Sequence, residues 1–122
     1  MKKSHTIFCD IDGTLFEYRK FESYETSKVK VLEGVKEKLD QWMASGHMII
    51  LTTARPEYLR NHTEKELKES ELVYDELIMG IERGPRVLIN DCDPQKAGKR
   101  AIGVNLERNQ GFSLENWENF GL

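Results

Sequence analysis

The sequence predicts an α/β fold, a parallel sheet with helices stacked on it in three layers. Three observations predict it. A short, mostly apolar run, Thr6-Ile7-Phe8-Cys9, reads as a buried strand. Segments with helical spacing then alternate with further short apolar runs. Polar clusters close three of those runs: Asp10/Asp12, Thr52/Thr53 and Asn90/Asp91/Asp93. In a parallel sheet such clusters share the carboxyl edge, where α/β proteins bind ligands.

The elements follow in order. The first strand ends at Asp10. Residues Leu15 to Lys30 carry aromatics and charges without a period, and read as a short flap or hairpin over the site. Val31 to Ser45 is a helix, because Val31, Val35, Leu39 and Trp42 recur every three or four residues. Gly46 stops it in the C-cap position. His47 to Leu51 is the second strand, ending at Thr52-Thr53. The next helix starts at Ala54-Arg55-Pro56-Glu57 and runs towards Ser70, its Glu and Lys residues read as a solvated face. Tyr74 to Met79 is the third strand, and Arg83-Gly84-Pro85 a turn. Arg86 to Ile89 is the fourth strand, Lys96 to Arg100 a loop, Ala101 to Asn105 the fifth strand. Leu114 to Phe120 reads as a last helix.

The chain has 122 residues, one domain's worth, enough to bury a core without disulfides. The net charge of -3 argues against sequence-independent nucleic-acid binding. No apolar run is long enough for a transmembrane helix. Met1-Lys2-Lys3-Ser4-His5 leads into the first strand without a signal-peptide core. Cys9 and Cys92 form no framework and no zinc pattern, so a reduced cytoplasmic protein is expected.

The chemistry concentrates in Asp10-Ile11-Asp12-Gly13-Thr14. Two carboxylates two residues apart repel each other's ionised forms. A chain tolerates that where a cation or a reaction uses both. Gly13 permits a sharp turn, and Thr14 adds a hydroxyl and a backbone amide. This stretch resembles the first motif, DxDGT, of the haloacid dehalogenase superfamily, whose members are mostly magnesium-dependent phosphatases.

The resemblance implies a Rossmann-like sheet of five parallel strands in the order 5-4-1-2-3. It implies that Asp10 is a nucleophile forming an aspartyl-phosphate, and Asp12 a general acid/base. Magnesium (Mg2+) would lie against Asp10, the backbone carbonyl of Asp12, and Asp91, with Asn90 ligating directly or through water. Asp93 is a supporting partner or an Asp-Pro turn. Thr53-Ala54-Arg55-Pro56 resembles the second motif; Thr53 would bond a phosphoryl oxygen, with Thr52 the competing assignment. Arg55 either contacts substrate or pairs with Glu57 or solvent.

The family's third motif is normally a Lys before strand four. Lys65 and Lys68 lie on a helix, so Arg86 is preferred as the substitute, with Arg83 close behind. Gly84 to Asp91 and Gly103 to Gly111 together resemble a small capless subset that accompanies sugar-phosphate and surface-polysaccharide biosynthesis in bacteria. Within it Arg108 is a substrate contact or a surface charge. Neither cap position has room for an inserted domain. An open site admits a large substrate, or borrows its lid from another subunit of a homo-oligomer. A small phosphorylated substrate is expected. The rival readings are a nucleic-acid 3'-end phosphatase and a weakly catalytic phosphate-sensing module.

Overall fold

The computed structural model describes residues 4–122. The reading of the extreme N-terminus as lacking a signal segment falls partly on residues 1–3, outside the described residues. Three parallel strands form the sheet: β1 (Thr6–Asp10), β2 (Met48–Thr52) and β3 (Glu76–Ile78), in the order β1-β2-β3. The register sets Asp10 opposite Thr52, and Thr52 opposite Ile78. The acid that ends β1 and the threonine that ends β2 therefore share one rim.

Two helices cross between the strands, α1 (Val35–Ala44) and α2 (Arg60–Glu69). Val35, Leu39 and Trp42 are buried on α1, as their spacing requires. The helix begins later than the period suggested. Gly34 takes a φ of +77° at its N-cap, and Val31 instead bridges Phe16. That bridge and the bond from the Glu17 amide to the Lys30 carbonyl, 2.8 Å, close residues 17–30 into the flap the sequence suggested.

The second helical stretch also differs. Pro56 is extended at ψ 150°, Glu57–Leu59 form a single 3-10 turn, and α2 starts only at Arg60. Arg55 is left outside the helix and turned inward. At the other end of the chain, Trp117–Phe120 is a 3-10 turn rather than a longer helix. Trp117 packs edge-on against Trp42 and Phe112, with ring centroids 5.0 Å apart in both pairs. Its indole N–H donates to the Phe112 carbonyl at 2.8 Å. This aromatic cluster anchors the C-terminal segment to α1.

The five-strand expectation is met in part, by the three parallel strands β1, β2 and β3. Arg86 to Ile89 and Ala101 to Asn105 are irregular here, and β1 pairs on one side only. Val87, Leu88 and Ile89 are 83%, 50% and 87% exposed. An apolar run becomes a strand only through a ladder partner. Here the backbone turns at Gly84, φ +111°, and the Arg86 guanidinium folds back onto the Gly84 carbonyl. In this arrangement the run has no ladder with β1. Among the described residues no helix is long and apolar enough to cross a membrane.

Candidate active site

The turn after β1 presents the acids. Gly13, at φ +87°, lets its amide reach the Phe16 carbonyl at 2.7 Å, while the Leu15 amide bonds the Ile11 carbonyl at 2.8 Å. Ile11 and Leu15 are fully buried by this turn, which pins Asp12 between them and Asp10 directly before them. Thr14 Oγ1 donates to Asp10 Oδ2 at 3.1 Å. Burial pushes the Asp10 carboxyl above the usual range, although the Thr14 bond and the nearby Arg86 charge pull the other way.

Asp12 is held by Arg55. The guanidinium Nε and Nη2 reach Asp12 Oδ2 and Oδ1 at 2.9 and 2.8 Å, a two-pronged pair. Arg55 is 2% exposed. Its Nη1 also donates to Glu66 Oε1 at 2.7 Å and to Thr63 at 3.0 Å, and its plane lies 4.2 Å from the Tyr24 ring centroid. Burial alone would lower the pKa of Arg55, but the two carboxylates raise it beyond its ordinary value. Glu66 is bound on its far side by Arg19, at 2.9 and 3.0 Å. Burial would raise Glu66, yet Arg19 and Arg55 hold it below the usual carboxylate range. A chain of alternating charge thus runs from the flap through α2 to Asp12.

Asp10, Asp12, Thr53 and Arg55 line one cleft of about 330 Å³. Arg83, Arg86 and Arg108 line it too, with Tyr18, Phe21 and Tyr24 from the flap. Thr53 is buried and its Oγ1 accepts the Arg55 amide at 3.0 Å, so its hydroxyl proton remains to be donated. Thr52 stands opposite Asp10 in the ladder but does not line the cleft. Thr14 acts on the site through Asp10.

Arg108 is positioned by a device the sequence did not suggest. Asn109, at φ +66°, donates its amide to the Gly13 carbonyl at 2.8 Å and accepts the Tyr18 amide on Oδ1 at 2.7 Å. That ties the loop across the acidic turn and lays Arg108 4.0 Å over the Tyr18 ring. A Cβ at Gly13 would meet Arg108 Cγ at 3.2 Å, so glycine there also admits this arginine. Asn is the residue other than Gly that most readily takes the left-handed conformation, which was the available signal.

Asn90 and Asp91 are not brought to the cleft. Both are exposed, and Asp91 pairs with Arg100 at 3.2 Å. Asp93 accepts the Gln95 amide at 2.9 Å, an Asp-Pro turn. Magnesium asks for carboxylate oxygens free to bind it. Asp12 has both its oxygens on Arg55, which leaves Asp10 as the free carboxylate of the cleft. Among the described residues no group of three or more His, Cys, Asp or Glu side chains gathers as a metal centre. The donors as arranged do not fit the expected magnesium site. Asn90 and Asp91 follow the same Gly84-Pro85 turn that left Val87 to Ile89 off the edge of β1.

Glu66, Arg19 and Tyr24 were also missed. Glu66 lay within a charge run read as a solvated face. Its spacing from Leu59, Thr63 and Leu67, all buried, was the signal that it faces inward.

Paired acids at the carboxyl end of the first strand of a parallel sheet, in a cleft lined by arginines, put a charged site where α/β proteins bind ligands. The sequence profile of the haloacid dehalogenase-like hydrolases matches residues 7–78, more than half of the chain. The chain belongs to that family. No curated protein and no solved structure matches it significantly.

Proposed function

We propose that this hydrolase is a phosphomonoester phosphatase acting through an aspartyl-phosphate. The observation that carries the reading is Asp10 itself, ending β1, oriented by Thr14 and lining a cleft with Arg83, Arg86 and Arg108, which hold no carboxylate among the described residues. An Asp10 oxygen attacks phosphorus and the bond to the leaving alcohol oxygen breaks; Asp12 gives that oxygen a proton in a state in which one Asp12 oxygen has left Arg55 and taken up a proton from solvent. Water then attacks the aspartyl-phosphate, giving a proton to Asp12, and phosphate leaves with Asp10 restored. Arg55 aims the Asp12 carboxylate, and the Thr53 hydroxyl is the donor for a phosphoryl oxygen. A sugar phosphate or surface-glycan precursor is the proposed substrate class. Cys9 and Cys92 are both free, in keeping with a cytoplasmic setting. Burial raises the Cys9 thiol to about 12, with Asp10 adding to the shift, so it stays inert. Turnover across a panel of sugar phosphates, nucleotides and 3'-phosphorylated DNA ends tests the reading; no hydrolysis of any of them overturns it.

Arg86 is the proposed substitute for the family lysine. Its charge acts on Asp10, and Arg83 lines the same wall. Removing one preorganised cation costs on the order of a hundredfold in turnover. Arg86→Ala is expected to lose about that much and Arg83→Ala clearly less. Near-normal rates in both would remove the cation from the mechanism.

The magnesium requirement belongs, in this reading, to a form in which Arg86 to Ile89 pairs with the free edge of β1 as the fourth strand of the order 5-4-1-2-3. The open edge and the exposed Val87-Leu88-Ile89 support it. Asn90 and Asp91 would then reach the rim. Activity is expected to vanish in excess chelator, and Asp91→Ala to need a higher magnesium concentration for half-maximal rate. A magnesium titration unchanged in Asp91→Ala rejects that ligand. The present position of Asn90 and Asp91 favours a second reading, a weakly catalytic phosphate-sensing module.

A further inference from the structure

The arginines of this chain divide sharply. Arg19, Arg55, Arg60 and Arg100 each hold a carboxylate. Arg83, Arg86 and Arg108 hold none among the described residues, yet all three line one cleft. Like charges gathered on one cleft repel, and a bound anion relieves that repulsion. Arg86 lines the cleft with Asp10, the proposed nucleophile. Arg108 is seated apart, over the acidic turn, where the Asn109 tie and the Tyr18 ring fix its plane. With one face of its guanidinium on Tyr18, the N–H edge is the part left to bind, and that fork suits a carboxylate or phosphate. Tyr18 and Phe21 expose ring surface at the same mouth, suited to the apolar face of a sugar ring.

We propose that the outer cleft is a second-anion subsite, in which Arg108 and Arg83 hold a carboxylate or further phosphate carried by the leaving group of a phosphorylated sugar. The proposal rests on the phosphomonoester reading and narrows its substrate class. It predicts that a ring phosphate with a second anionic group is preferred over the same ring without one.

The test uses glucose 1-phosphate, glucuronic acid 1-phosphate and glucose 1,6-bisphosphate. The kcat/KM of each is measured with wild-type protein, and the Kd of each with Asp10→Asn protein by calorimetry. The expected result is roughly a tenfold or larger preference for a doubly anionic compound, in both kcat/KM and Kd, as one charge-assisted contact supplies. Which of the two is preferred separates a carboxylate from a phosphate source. Arg108→Met should reduce the preference to near one, while Arg60→Met, paired elsewhere, should keep it. Equal kcat/KM and Kd for all three compounds overturn the subsite and leave the phosphatase reading standing. A binding preference without turnover keeps the subsite and overturns the phosphatase reading.

Discussion

Asp10→Asn is expected to lower turnover at least roughly a thousandfold, because an amide keeps the shape of the side chain but cannot form the covalent intermediate. The fold should survive. Asp10 is half-buried, and burial disfavours its charged form, so the neutral amide removes a desolvation cost. The thermal midpoint at neutral pH should stay level or rise while activity disappears. Opposite movement of rate and stability marks a residue kept for chemistry against the interest of the fold. Wild-type turnover in this variant would place the nucleophile elsewhere. A collapse of the fold would mean that Asp10 is structural.

Arg55→Met should be the most destabilising single change in the site. Arg55 is nearly inaccessible and links Asp12 to Glu66. Its removal leaves two largely buried carboxylates with fewer partners, and breaking a buried pair in this way costs about 3–5 kcal/mol. Glu66 keeps Arg19, so Asp12 bears most of the loss. Arg55→Lys should recover only part of it, because a lysine ammonium cannot fork onto Asp12 and reach Glu66 together. Urea denaturation followed by near-ultraviolet absorption or circular dichroism reads the effect. A loss under 1 kcal/mol in Arg55→Met would show that solvent or rearrangement satisfies both acids.

Much of the sheet was legible because its signals are local. Ile7 to Asp10 and Met48 to Thr52 are short apolar runs closed by polar residues, and the α1 stripe follows a period that a few residues reveal. The Asp10 to Thr14 turn was legible because its chemistry is written in five adjacent residues. What was not legible depends on distant partners. Arg55 is open in sequence between a substrate contact and pairing with Glu57 or solvent; in the structure it is buried between Asp12, Thr63 and Glu66, and no one of those neighbours announces it in sequence. Val87 to Ile89 has a strand's composition, but composition does not supply a neighbouring strand. The chain turns at Gly84, and the run after it has no ladder partner in the sheet.

The Asn109 tie also governs when the site is assembled. Tyr18 and Asn109 lie 91 positions apart in sequence, yet one bond of 2.7 Å joins them. Closing so long a loop is entropically costly before its contacts form, and such pairings slow folding. During synthesis the acidic turn is made well before the loop that covers it, some 91 positions later. Until then Asp10 and Asp12 sit on a nascent chain without Arg108 above them. A ribosome-bound chain stopped before residue 105 should therefore carry the acids, Arg83 and Arg86 but lack Arg108 and the tie that seats it, so the arginine wall is completed only once Arg108 and Asn109 have been made.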